Sequence, residues 1–254
     1  MSANSDRIEQ IRDNTKNDAE TLAQLFTDTG ISDNGTVAGR LRAILEATEN
    51  FWVPGLQTGI EFHDSGFKQP FKDPWPDSNN QVGHFLTAVG LSFNPAKVQQ
   101  QLLGQSLRDW LTAPAGMPDE HVALRLTIGH EKSPDPPLKI LKPFAVLPLP
   151  GPQTLAVAAS ILAYYKKQFL SATQQDMNVF YDAYTLLGTA SPLNLSAANA
   201  KLRGGISVDE TKYGNSYADL LLSLYGWLLG QWIRAGAFAT GAAVAAWVRD
   251  NIKA

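Results

Sequence analysis

Side chains able to do chemistry are few in this chain: it has 4 histidines and no cysteine among 254 residues. Two of those histidines interrupt apolar helical patterns. His84 lies in Gln81–Leu91, Gln-Val-Gly-His-Phe-Leu-Thr-Ala-Val-Gly-Leu, where Val82, Phe85, Leu86 and Val89 recur at the spacing of a buried helical stripe. Ala88 and Leu91 carry the apolar surface round toward the histidine, so His84 is expected off the surface. A buried imidazole needs partners, because an unpaired buried polar group costs about 1–3 kcal/mol. His130 follows Val122 and Leu126 at intervals of four, which puts it on the apolar face of its own helix, and Glu131 comes next. His63 is followed by Asp64 within an aromatic- and proline-rich stretch, and His121, beside a helix start and near Arg125, is expected in solvent.

These residues suggest one shared site. The aromatic stretch would carry His63-Asp64 over the ends of two helices, beside His84, His130 and Glu131. His63, His84 and His130 are the candidate ligands of a zinc-like divalent metal, and three protein ligands with an open fourth position support hydrolysis. Without a metal, His84, His130, Glu131 and Asp64 are the candidate acid–base groups. Glu131 would act as a desolvated proton donor after Leu126-Thr127-Ile128-Gly129, with Asp64 as a second carboxylate for glycoside-type chemistry. The pattern is not His-Glu-x-x-His, since Pro134 and Asp135 follow, and no two histidines sit four apart on one helix. The competing reading pairs Glu131 with Lys132, Lys139 or Arg125.

Other chemistries leave weaker marks. Ser223 or Ser216 near Asp219 would suit a Ser/His/Asp arrangement, yet there is no Gly-x-Ser-x-Gly, and Asn215-Ser216-x-x-Asp219 reads as helix capping. No Walker sequence is present, and Gly204-Gly205 does not follow a strand as a nucleotide fingerprint requires. Trp52, Phe67, Phe71 and Trp75 could stack on a sugar or another flat ligand, with half of them expected in the core instead. The absence of cysteine excludes disulfides, thiolate catalysis and thiolate-ligated metals. A formal net charge of −3 without a basic stripe argues against nucleic acid as partner.

The elements that must position these groups read as helices. Ile8, Ile11, Leu22, Leu25 and Phe26 mark one interrupted helix or two short ones; Val37, Leu41, Ile44, Leu45 and Thr48 mark another. Residues 52–80 mix four prolines and several glycines with aromatics and keep no period. Helices are then expected from a cap at Asp77 or Ser78 to the Asn94-Pro95 break, and over 98–111, 122–131, 154–170 and 173–187, and residues 191–214 read as polar loop. Residues 217–248 form the most apolar helical stretch, with Gly226-x-x-x-Gly230 and further small residues as a close-packing seam. The fold class is therefore all-α: one multi-helix globular domain over 1–254 with long proline- and aromatic-rich loops and central hydrophobic C-terminal helices. Residues 132–153, with seven prolines, are the place for any internal boundary.

Two functions follow as expectations. One is a hydrolase with a His/carboxylate site between helices, acting on a small molecule or glycan. The other is a non-catalytic helical module that meets a protein partner or a membrane, effector- or toxin-like, through residues 52–80 and helices 217–248. The stretch 220–248 is long enough to span a bilayer, but Arg234 near its middle would cost about 2.5–3.5 kcal/mol there. Met1–Asn17 is polar and lacks the apolar core of a cleaved signal, so a cytoplasmic location is expected.

Overall fold

The computed structural model describes residues 2–48, 60, 62, 65–72, 81–102, 105–133, 152–189, 192–211 and 216–254, with only the backbone of 152–161. In chain order the helices are α1 (Ala3–Thr15), α2 (Asp18–Leu25), α3 (Val37–Ala47), α4 (Gln81–Phe93), α5 (Leu107–Trp110), α6 (Asp119–Lys132), α7 (Pro152–Ser171), α8 (Gln174–Leu187), α9 (Leu195–Gly205), α10 (Tyr217–Arg234) and α11 (Gly241–Asn251). Among the described residues the fold is all-α, relieved by one two-stranded ladder of two residues a side, Gln101–Leu102 against Gln105–Ser106.

Local chemistry explains most of the breaks. Lys16 turns left-handed at φ 50°, and the Asn17 side chain caps α2 by accepting the Glu20 N–H at 2.8 Å, so the first segment is two helices. Thr173 and Asp176 cap α8 reciprocally. The single helix expected over 98–111 is not formed. A 3-10 turn (Pro95–Gln99), the short ladder and α5 replace it among the described residues, and Ser106 serves as the N-cap of α5, accepting the Asp109 N–H at 3.1 Å. Conversely, α9 lies where polar loop was expected; Asn194 caps it, and it buries only Ala198 and Leu202.

The core is built on α4 and α10. Twelve of the thirteen residues of α4 are buried, so this helix is covered on every side, which is what an apolar pattern spread round the whole circumference requires. On α10 fourteen of eighteen are buried. The two run parallel with a constant offset: Gln81 meets Asp219, Ala88 meets Gly226 and Ser92 meets Gly230, each pair 138 residues apart. Glycine is needed on that line. A β-carbon on Gly226 would lie 2.5 Å from the Phe85 carbonyl oxygen, and one on Gly230 would collide with Val89 O and Ser92 Oγ. The expected seam therefore packs helix on helix inside the protein. No helix among the described residues is long and apolar enough to cross a membrane.

The remaining helices cover this pair, and one continuous apolar core runs from Ile8 to Ile252. Helix α11 ends against residues 66–68 of the aromatic stretch. Lys68 N–H donates to Ile252 O at 2.9 Å, Ala254 N–H donates to Gly66 O at 2.7 Å, and Glu20 on α2 holds Arg249 and Lys253 at 2.6 and 2.7 Å.

Candidate active site

Four helix ends meet at one polar group within this core. His84 is the fourth residue of α4 and Asp219 the third of α10, so the N-terminal turns of the parallel pair lie together. His130 and Glu131 come from the last turn of α6, and Gln168 from the last turn of α7. The α10 stripe Asp219, Ser223, Gly226, Gly230 is one helical face: its glycines let the helices close, and its polar end enters the site. Ser216 caps α10 by accepting the Ala218 N–H at 2.9 Å and the Asp219 N–H at 3.4 Å, which sets the pitch of that face. Gly129 allows a similar close approach between α6 and α7. A β-carbon there would strike the Gln168 carbonyl, so only glycine lets α7 bring Gln168 beside His130.

Glu131 is the hub. Its Oε1 lies 3.0 Å from His84 Nδ1 and accepts the Ser223 hydroxyl at 2.9 Å. On the far side of the His84 ring, Nε2 is 3.9 Å from Asp219 Oδ2, and Asp219 Oδ1 accepts from Gln81 Nε2 at 3.3 Å. The rings of His84 and His130 are 4.9 Å apart, tilted by 34°, and His130 Nδ1 is 2.7 Å from the Gln168 amide nitrogen. All of these side chains are buried. Burial alone would push the Glu131 carboxyl up. The neighbouring charge and hydrogen bond of His84, the charge of His130 and the Ser223 hydroxyl outweigh it and hold the group below the usual carboxylate range. The site thus keeps Glu131 ionised in an apolar interior. Glu131 also sits at the negative end of its own helix, while His84 lies in the positive first turn of α4, so pairing the two offsets both unfavourable placements.

His84, His130 and Glu131 are therefore brought together. His63, Asp64, Trp52 and Trp75 lie outside the described residues. Phe67 and Phe71 are fully buried, and Phe71 packs edge-on against Tyr225 with centroids 5.0 Å apart; here they are core side chains. His121 is half-buried, 6.2 Å from the Tyr181 ring. Glu131 takes none of the cations the alternative offered within the described residues: Lys132 bonds Asp176 at 2.8 Å, and Arg125 donates to Ala172 O at 3.0 Å. Comparison with protein-family models, with curated proteins and with solved structures gave no match. The chemistry of the site therefore rests on its own geometry.

Three members were not among the expected site residues: Asp219, Gln168 and Gln81. Of the serines that stand near Asp219, Ser216 caps α10 as its spacing predicts, and Ser223 donates to Glu131. The signal for them was spacing. Asp219 and Ser223 are four apart in an otherwise apolar helix, and Gln168 stands between Tyr165 and Phe169, both buried.

Proposed function

We propose that the protein is a hydrolase whose proton-transferring groups are His84 and His130, with Glu131 fixing and charging His84. The observation that carries this reading is the 3.0 Å contact between His84 Nδ1 and Glu131 Oε1, with a second imidazole 4.9 Å from the first. A carboxylate held ionised against one ring nitrogen sets the tautomer of that ring and stabilises its protonated form. This is the role such a carboxylate plays beside a general-base histidine. Ser223 supports the carboxylate and does not act as the nucleophile, since its hydroxyl is given to Glu131. The attacking group in this reading is water.

The test is turnover on chromogenic acetate esters, phosphate esters and glycosides by the wild type, His130→Asn and Glu131→Gln. The expected result is hydrolysis of one class, reduced about 10²–10⁴-fold in both variants while their helical circular dichroism is retained. Wild-type rates in the folded variants, or no hydrolysis of any class by the wild type, would overturn it. A second reading, a non-catalytic helical module, is favoured by one observation: Glu131 and His84 are 1% and 3% exposed as side chains, the depth of a structural pair. In that reading the same variants lose stability and there is no turnover to lose.

A further inference from the structure

The loop between α2 and α3 holds the only Asn-Gly pair in the sequence, Asn34-Gly35. An Asn-Gly pair can react with itself. The glycine backbone nitrogen attacks the asparagine side-chain carbonyl, and glycine has no side chain to obstruct the approach. In an unfolded chain the reaction lacks a base for the attacking N–H, donors for the oxygen that gains charge, and a fixed pose for the amide. This loop supplies all of them.

The Gly35 N–H donates to Asp33 Oδ1. In a planar peptide that N–H lies in the plane, whereas the electrons that attack lie perpendicular to it, so the base does not block the target. Arg40 bonds the other oxygen of Asp33 and is itself fixed on the carbonyls of Leu25 and Asp28. Asn34 Oδ1 accepts two hydrogen bonds, from the Thr36 N–H at 3.2 Å and the Thr36 hydroxyl at 2.7 Å. Thr36 is the N-cap of α3, and its Oγ accepts the Gly39 N–H at 2.9 Å, which strengthens the hydroxyl as a donor. The oxygen that would become an oxyanion therefore sits at the positive end of an 11-residue helix. Gly39 completes the arrangement. A β-carbon there would collide with Oδ1 and Cγ of Asn34, so glycine at 39 is what leaves room for the amide in this pose. Asn34, Gly35 and Thr36 are exposed, so water can enter and ammonia can leave.

We infer that Asn34 is a self-modifying site, at which Asp33 and Thr36 promote attack of the Gly35 nitrogen on the Asn34 side-chain carbonyl. The new bond joins Gly35 N to Asn34 Cγ. The Gly35 proton passes to Asp33 Oδ1, and the charge that builds on Asn34 Oδ1 is held by the Thr36 N–H and hydroxyl. Collapse breaks the bond from Cγ to Nδ2, Asp33 returns the proton to that nitrogen, and ammonia leaves. The cyclic imide is then opened by water at either carbonyl, giving aspartate or isoaspartate at position 34. Either product adds a negative charge two residues before the N-cap of α3. The inference is independent of the hydrolytic reading of the buried cluster.

The experiment incubates full-length protein near neutral pH, folded in one sample and unfolded in guanidinium chloride in another. Peptide mapping by mass spectrometry measures conversion at position 34, and an isoaspartate methylation assay identifies the branched product. The Gly35 N–H and the Arg40 guanidinium hold the Asp33 carboxyl below its usual range against the effect of burial, which makes it an ionised but weak base. A well-matched general base contributes about 10²–10⁴-fold, so for this one the folded chain is expected to convert about tenfold faster than the unfolded chain. Asp33→Asn and Gly39→Ala should each remove that advantage and leave the unfolded rate unchanged, with helical circular dichroism confirming that the variants fold. The folded wild type should also show a flat rate near neutral pH, where Asp33 is already ionised, while the unfolded rate climbs with hydroxide. A folded rate equal to or below the unfolded rate overturns the inference, as does an undiminished folded rate in both variants. Should neither variant fold, the rates and pH profiles of folded and unfolded wild type decide.

Discussion

Glu131→Gln keeps the shape of a buried side chain and removes its charge. The carboxylate accepts from His84 at 3.0 Å and from Ser223 at 2.9 Å while only 1% exposed. The glutamine oxygen can still accept the Ser223 hydroxyl, so the loss is concentrated in the pair with His84. Removing one partner of a buried ion pair costs about 3–5 kcal/mol, and the lower end applies because that hydroxyl bond survives. In a chain of this length each kcal/mol lowers Tm by roughly 2–4 °C, so a fall of about 6–12 °C is expected. The assay is thermal and urea unfolding at pH 7 in chelator, so that bound metal plays no part. A cycle with His84→Gln isolates the pair: the double variant should lose about 2 kcal/mol less than the sum of the singles. A cost under about 1 kcal/mol for Glu131→Gln, or a coupling below about 0.5 kcal/mol, would refute the claim that these two groups hold each other's charge.

Two further expectations concern the scaffold. Gly226→Ala places a methyl group 2.5 Å from the Phe85 carbonyl oxygen and should destabilise by about 1–3 kcal/mol. Gly204→Ala, with nothing within 4 Å, should stabilise by about 0.5–1 kcal/mol, and urea midpoints of the two distinguish packing from helix propensity. Glu20, bonded by Arg249 and then by Lys253, has its carboxyl lowered from 4.5 to about 2 despite the opposing effect of burial. A lowered folded-state value means that its contribution is complete above about pH 4.5 and is lost as pH falls toward 2. Glu20→Gln should therefore cost about 1 kcal/mol at pH 7, with the gap from the wild type narrowing as pH falls from about 4.5 through about 2 in denaturant titrations.

Much of this arrangement was legible where one residue carried one strong local preference. Val82, Phe85, Leu86 and Val89 announced α4 and the burial of His84, and Leu126 to His130 announced the inner face of α6. The glycine pair of α10 foretold a close helix contact. What could not be read was the partner. That α10 runs parallel to α4, so that Asp219 and Ser223 arrive at His84, is set by tertiary packing across 138 residues, which no local pattern encodes. Residues 98–111 failed for the opposite reason: their apolar spacing was helical, but the capping preference of Ser106 won locally. Helix α9 was missed because two buried side chains leave almost no periodic trace.

The 138-residue separation of α4 from α10 also bears on how the chain folds. Closing a loop of that length costs about 4 kcal/mol in chain entropy before any contact between its ends repays it. A fold whose central contact is so distant in sequence is expected to condense slowly. Until α10 docks, the Gln81 amide lacks its Asp219 acceptor, and Glu131, which faces His84, lacks the Ser223 hydroxyl. Both losses disfavour premature burial of α4 against the wrong surface. The polar group is complete only once α4, α6, α7 and α10 have met, so its hydrogen bonds mark the native packing of those four helices.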